Sequence, residues 1–403
     1  MGGIKISEVF FVPGVRSEPV AKLDAIAEAL YNSINPKHEI ADTAMLKVHV
    51  GEIGNDGTEI HTHMRPDWVK PFANLVRRDG ATRIFAADSI PTYVFGKRST
   101  LAGHQGVAKR HGFTPANIGV EFIVAAESGR IEIPNTHGGG LHRIYMPKLF
   151  HDVAVNAGYA IVLSHFKGHE IYTFGGALKN LGMGFVGKET KAAIHHFKAI
   201  VDYEKCQGCL TCIDFCTHNA ITKIAHPREA ETSAAQVNQD SCYGCMGCLR
   251  ACDYGAIGLN FGALGNIDTP EGKDKIGRYV TDSLIVAAKG VTNVFQPGHM
   301  LFVTDLTEIT VFCDCDSPVL HDLKQSEGHL LLANDIGYLA STDPVALDQA
   351  CIDLVQRETP EKKWHELCQV RPSYFPVALK QQIAKAVELK IGTDKYELIT
   401  LKV

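Results

Sequence analysis

Cys206-Gln-Gly-Cys209-Leu-Thr-Cys212-Ile-Asp-Phe-Cys216 and, after a gap, Cys242-Tyr-Gly-Cys245-Met-Gly-Cys248-Leu-Arg-Ala-Cys252 fix the first structural commitment of this chain. Each stretch is a C-x2-C-x2-C-x3-C run, the bacterial spacing that wraps three cysteines of one loop around a [4Fe–4S] cubane. Thiolate sulfur is a soft ligand suited to such clusters. In two-cluster proteins the fourth cysteine of each run ligates the other cluster. The expected quartets are therefore Cys206, Cys209, Cys212 and Cys252 for one cluster, and Cys242, Cys245, Cys248 and Cys216 for the other. The runs also form an internal repeat whose constant offset carries Ala220-Ile221 onto Ala256-Ile257, a small apolar pair behind each cage. Zinc knuckles and a disulfide framework are the ordinary alternatives for so many cysteines. Zinc sites close with four ligands, usually as two separated C-x2–4-C pairs, so a compact run of four repeated twice fits them poorly. Thr217 and Asp253 stand where a proline commonly follows the fourth cysteine, which alters the expected turn but not the ligand count.

Outside the runs, 403 residues suffice for a full core and two or three structural units. A hydrophobic content of 45% with 21% charged residues is ordinary for a globular protein. The formal charge of −5 and the lack of Lys/Arg runs leave no basic footprint for nucleic acid. The start, Met1-Gly-Gly-Ile-Lys-Ile, carries no basic-then-apolar signal, and no apolar stretch is long enough for a membrane span. Oxygen-sensitive clusters with free thiols point to a reducing, cytoplasmic and anaerobic setting. The 19 histidines favour proton transfer or ligation chemistry, although many belong to surface or core.

Before the first run the pattern is strand, helix, strand. Val9-Phe-Phe-Val12 reads as a strand, 19–35 as an amphipathic helix, 45–50 as a strand, 67–79 as a helix and 82–87 as a strand. Residues 120–126 and 160–163 read as further strands, with a helix at 147–157 between them. After the second run, 278–288 reads as a helix, 300–303 as a strand, and Ile309 to Asp316 as a strand running into Cys313-Asp314-Cys315. Residues 335–337 and 341–344 read as loops, 345–357 as a helix capped by Asp343 with Pro344 in its first turn, and 376–389 as a last helix. The expected fold class is α/β, a mixed, mostly parallel sheet flanked by helices, with an inserted α+β two-cluster ferredoxin-like domain. The expected division is 1–198 and 263–403 for the two parts of the α/β domain, with 199–262 as the insert.

Open α/β sheets place ligands at the carboxyl ends of their strands. Past those ends come Glu52, then Asp88 with Tyr93 and Arg98, then Ser164-His165-Phe166-Lys167-Gly168-His169. The Gly-rich segment 175–184 follows, with Lys179 and Asn180, and could cradle an anion on its backbone. It is neither a P-loop nor a dinucleotide fingerprint. Lys167, Lys179 and Arg98 are candidates to hold an anionic group, and His165, His169 and His49 to deliver protons. Glu52, Asp88, Tyr93, Arg98 and Asn180 are candidate cofactor-pocket residues. A solvated loop with capping histidines is the plainer reading of 164–169. Cys313 and Cys315, on opposite faces of a strand, are candidates for a further metal or a reactive thiol, against one core and one exposed cysteine. Cys351 and Cys368 read as packing residues, and His61, His63, His195 and His196 are ambiguous between ligands and surface.

Taken together, Lys47-Val-His49-Val-Gly51-Glu52, the stretch from Asp88 to Arg98, Ser164 to His169, Gly175 to Gly184, the two cysteine runs, Cys313-Asp-Cys315, Asp335-Ile-Gly337 and Asp343-Pro344-Val-Ala-Leu-Asp348 resemble the iron–sulfur branch of the domain of unknown function 362 (DUF362) family. The resemblance covers nearly the whole chain. It implies an α/β domain with an inserted two-cluster unit and supplies no substrate. Ile53, Phe95 and the missing prolines depart from the usual pattern without removing a candidate ligand. The expected function is an iron–sulfur oxidoreductase that takes electrons from a small ferredoxin through two [4Fe–4S] clusters to an anionic substrate or further cofactor. A non-catalytic electron carrier and a maturation partner of another enzyme are the alternatives, and homodimerisation is left open.

Overall fold

A computed structural model of the chain describes residues 6–35, 37, 39–53, 62–92, 96–125, 129–136, 141–216, 218–229, 231–260, 269–311, 313, 331–368, 375 and 377–403. Among the described residues, eight strands make the central sheet: β1 (Ser7–Pro13), β2 (Thr43–Lys47), β3 (Arg83–Ser89), β4 (Glu121–Ala125), β5 (Tyr159–His165), β6 (Met300–Leu306), β7 (Gly337–Ser341) and β8 (Tyr396–Thr400). Their order across the sheet is β8-β1-β7-β6-β5-β2-β3-β4. Neighbours are parallel except where β7 pairs antiparallel with β1 and with β6. The sheet is thus mixed and mostly parallel, as the strand–helix alternation predicts.

Both faces are covered, which explains why the strands read as near-continuous apolar runs. Side chains alternate between faces. Ala44, Leu46, Ile161, Leu163, Leu301 and Val303 pack beneath the helices Val20–Ile34 and Val69–Arg78. Met45, Ala160, Val162 and Phe302 pack on the other face beneath the helices Ala177–Gly184, Pro270–Val294 and Pro344–Gln356. The cap at Asp343 forms as expected, its carboxylate accepting from Val345 N at 2.9 Å. Among the described residues, no helix is long and apolar enough to cross a membrane.

The two cysteine runs lie between strands Lys198–Val201 and Ile257–Asn260, which pair antiparallel and close the segment's base. A second antiparallel pair, Ile221–Ala225 with Ser233–Val237, completes it. This segment has its own small core, including Ala199, Ala220, Ile221, Ala235 and Ile257.

Several expectations need correction. The strand at 82–87 extends to Ser89 and that at 160–163 to His165, so Asp88, Ser164 and His165 are strand residues rather than loop residues. Residues 309–311 form an isolated bridge, Thr310 with Leu331, instead of a strand; Phe312 and 314–316 lie outside the described residues. The helix at 278–288 runs from Pro270 to Val294, and the last helix spans only Gln381–Glu388. Strands β7 and β8, and the helix Leu101–His111, were not anticipated. The Gly-rich segment, read as a possible backbone cradle for an anion, folds over Ala177–Gly184 as a helix. Its small residues serve close packing: a Cβ on Gly182 would lie 2.3 Å from the Leu284 carbonyl oxygen. Nor is its start open to an anion. The Ala177 and Leu178 amides both donate to the Asp348 carboxylate at 2.8 Å, so the protein's own acid occupies that position.

Candidate functional site

Strand β2 leads its chain outward to β3 and β4, whereas the chain from β5 goes on to β6 on the other side. The crevice beyond the carboxyl ends of β2 and β5 is therefore the topological switch point at which open α/β sheets bind ligands. A cavity of about 430 Å³ lies there. Its lining brings together His49, Asp88, Arg98, His165, Lys167, His169, Lys179 and Asn180, the greater part of the sequence candidates. Glu52 is not among them. It is buried behind Arg98, whose backbone amide donates to its carboxylate at 3.2 Å and whose Nε lies 3.6 Å away. Tyr93 and Cys315 lie outside the described residues.

The floor is built on an ion pair that joins two strands. Lys47 Nζ, fully buried, donates to Asp88 Oδ1 at 2.9 Å, to Asn180 Oδ1 at 3.0 Å and to the Val48 carbonyl at 2.6 Å. Asp88 Oδ2 accepts from the Val50 amide at 3.1 Å, and His104 Nε2 stands 3.5 Å off. Burial pushes the Asp88 carboxyl up, but Lys47 and then His104 outweigh it and hold the group well below the usual carboxylate range. Asn180 ties this floor to β5 by donating to the Leu163 carbonyl and the Ser164 hydroxyl.

The walls carry more cation than anion: Arg98, Lys167, Lys179 and Lys191 face Asp88 and Glu170. Lys191 was not anticipated. Its Nζ donates to Ser89 Oγ at 2.7 Å and to the Ile90 carbonyl at 2.6 Å. Burial pulls its ammonium down to about 7, against the attraction of Asp88. Among the described residues, the buried Thr92 hydroxyl on the same wall has no hydrogen-bond partner. The geometry does not suit His165 to proton delivery. Its two ring nitrogens face the Thr62 and Thr307 carbonyls at 3.2 and 2.8 Å, and burial drives its pKa down to about 3. As a neutral ring it donates to only one of the two carbonyls. Lys167 donates to the same Thr62 carbonyl.

The cavity reaches the cysteine runs. Phe197 and Met246 complete its lining, and Met246 sits between Cys245 and the Gly247-Cys248 pair of the second run. A smaller cavity directly beyond is lined by Cys216, Cys242, Cys245 and Cys248, with Ala220 and Ile221 behind. A third is lined by Cys206, Cys209, Cys212 and Cys252, with Ala256 and Ile257 behind. One of these cavities thus gathers Cys216 with the second run, and the other gathers Cys252 with the first. The two halves repeat in detail. Gly208 and Gly244 take left-handed φ values of 65° and 78°, as do Leu210 and Met246 at 61° and 65°. The φ values favour glycine, and the close approach demands it, because a Cβ would lie 2.1 Å from the Ser233 oxygen and 2.3 Å from the Phe197 oxygen. The Ala220 amide donates to Cys216 Sγ and the Ala256 amide to Cys252 Sγ, each at 3.2 Å.

A family model described as "Domain of unknown function (DUF362)" matches residues 45–353. No curated protein matches the chain. One similar solved structure is a crystal structure of a protein from Thermotoga maritima, with 9% identity and a TM-score of 0.40, covering 89% of this chain and 61% of that one. This chain therefore spans less than two thirds of that protein. Another is the lactate racemase apoprotein from Thermoanaerobacterium thermosaccharolyticum, with 9% identity and a TM-score of 0.39, covering 98% of this chain and 82% of that one.

Proposed function

This chain belongs to the DUF362 family, and from its site we propose that it is an iron–sulfur electron-transfer protein of that family's iron–sulfur branch, a reductase fed by a small ferredoxin or similar donor. The observation that carries this reading is the shared wall: Met246 belongs at once to the second cysteine run and to the lining of the strand-end cavity. The residues present fit two [4Fe–4S] clusters. Each quartet surrounds a common cavity, and backbone amides donate to the sulfur of the crossing cysteine in both, the kind of hydrogen bond that sets cluster potential. Such clusters supply single electrons when bound. Cys209 is exposed, which makes the first quartet the side on which a donor docks.

Within the cavity Arg98, Lys167 and Lys179 attract an anionic group, and the Thr92 hydroxyl is placed to complete its hydrogen bonding. Lys191, with a pKa near neutral, is the group best suited to hand over a proton as charge builds up. A carrier without chemistry of its own has little use for so many strand-end groups converging on one space. That convergence favours the reductase over the carrier or maturation partner.

Sulfate, whose charge is constant near neutral pH, serves as a probe. It should bind the anaerobically purified protein once per chain and alter the electron paramagnetic signal of the reduced second-quartet centre. Lys191 faces Asp88, Lys47, Arg98 and Lys188, and its ammonium is lost as pH rises through about 7, while His165 and His195, driven by burial to about 3 and about 4, stay neutral there. Affinity should therefore fall above pH 7, by up to roughly tenfold per pH unit while one proton is linked to binding. Lys191→Met should bind more weakly and lose that pH dependence. Absence of binding, or binding without any spectral change, would leave the carrier reading in place.

A further inference from the structure

Behind the cavity wall, and away from the cysteine runs, three different ligand types converge. His169 and Glu170 line the cavity, and Cys313 lies immediately behind them. All three are buried, and one ligating atom of each lies within 4.8 Å of the others. Cys313 Sγ is 3.6 Å from Glu170 Oε2, and His169 Nδ1 is 3.6 Å from the same oxygen. Ligands held at ~2.0–2.3 Å around one tetrahedral ion stand roughly 3.3–3.8 Å apart, so these spacings are those of a shared centre.

The arrangement is built rather than incidental. The short strand Lys167–His169 pairs with Thr173–Gly175, and its Gly168 amide donates to the Thr310 carbonyl at 2.8 Å. Gly168 permits this approach, because a Cβ there would meet the Val311 oxygen at 2.1 Å. That contact brings the chain on to Cys313. The Phe375 amide donates to the Glu170 carbonyl at 2.8 Å and fixes the other side. The Ile171 and Tyr172 amides donate to His169 Nδ1 at 3.0 and 3.3 Å, which sets the tautomer with its lone pair on Nδ1, the nitrogen nearer Glu170.

We propose that His169 Nδ1, a Glu170 carboxylate oxygen and Cys313 Sγ form a mononuclear site for a divalent zinc-class ion, distinct from the two cysteine quartets. Imidazole, carboxylate and thiolate together suit an ion of borderline softness. Binding exchanges the two amide contacts of Nδ1 for the ion and displaces the Cys313 thiol proton. Three protein ligands leave a fourth position for a water or substrate oxygen, and His169 and Glu170 both line the cavity. An ion there acts as a Lewis acid on an oxygen of the bound anion, beside Lys167 and Lys179. Cys313 meets Glu170 and His169, more than 140 positions earlier in the chain, while Cys315 lies outside the described residues.

The test uses the full chain, purified anaerobically with its iron, equilibrated with Zn2+ and analysed by metal content and zinc-edge X-ray absorption. One zinc per chain is expected, with a single sulfur neighbour among nitrogen and oxygen. Cys313→Ser and Glu170→Gln should each weaken zinc binding by roughly 100-fold or more while the iron count and the melting temperature of the zinc-free protein are unchanged. Zinc surrounded only by sulfur, no stoichiometric zinc, or binding untouched by Cys313→Ser would overturn the site. The inference does not rest on the clusters. A low iron count with one mixed-ligand zinc would reject the clusters and keep this site, and the reverse result would do the opposite.

Discussion

Cys216→Ser should strip iron from the quartet that Cys216 completes while sparing the quartet built on the run to which it belongs. Iron should fall from about eight to about four per chain. The reason is geometric. Cys216 lies in the first run by sequence, yet it lines the cavity of Cys242, Cys245 and Cys248, and the Ala220 amide that donates to its sulfur lines that same cavity. The electron paramagnetic spectrum of the remaining reduced centre should match that of Cys242→Ser and differ from that of Cys206→Ser. A match to Cys206→Ser would mean that each run closes on itself. Cys252→Ser provides the reciprocal case, since Cys252 lines the cavity of Cys206, Cys209 and Cys212.

The largest effect on stability is expected at Asp88. Asp88→Ala should destabilise the fold by ~3–5 kcal/mol, the usual consequence of removing one partner of a buried ion pair. Lys47 Nζ would keep Asn180 and the Val48 carbonyl but lose the compensating charge, and the Val50 amide would lose its acceptor. Denaturant unfolding at constant iron loading gives the measurement. Adding Lys47→Met should restore much of the loss, because the unpaired ammonium is then gone; a change below about 1 kcal/mol in the single variant would contradict this account of the floor. The folded Asp88 carboxyl sits well below its unfolded value, so its contribution is present above the unfolded pKa of ~3.9 and is lost only as pH falls through the depressed folded value. Activity measured near neutral pH should not see this group titrate.

What the sequence made legible follows from what is local. Cysteine spacing is a short-range property, and the sulfurs it groups line one cavity each. The apolar runs and the Asp343-Pro344 helix start were likewise readable, and polar residues beyond three strand ends pointed to the cavity. Pairings across the sheet were not. Lys47 stands inside a run of apolar residues, and its partner Asp88 is 41 positions away. A lysine in a strand buried on both faces was itself a signal, since such a position demands a countercharge. Lys191 gave none, because Ser89 and Ile90 meet it only through the packing of its helix. The glycines of 175–184 suggested an anion cradle because glycine is rare inside helices, whereas here Gly182 admits the Leu284 backbone. His169 and Glu170 could not be linked to Cys313 without the approach of Gly168 to residues 310–311. Met246 occupies a position between cysteines in the run, and its place in the cavity wall depends on how the segment docks against the sheet.

Iron and acid-labile sulfide counted on anaerobically purified protein, together with the electron paramagnetic spectrum after reduction, test most directly whether the two quartets hold the clusters on which electron transfer to this cavity depends. About eight irons per chain and a spectrum broadened by two interacting centres are expected. About four irons, a spectrum of one isolated centre, or zinc in the cysteine quartets would contradict the cluster assignment.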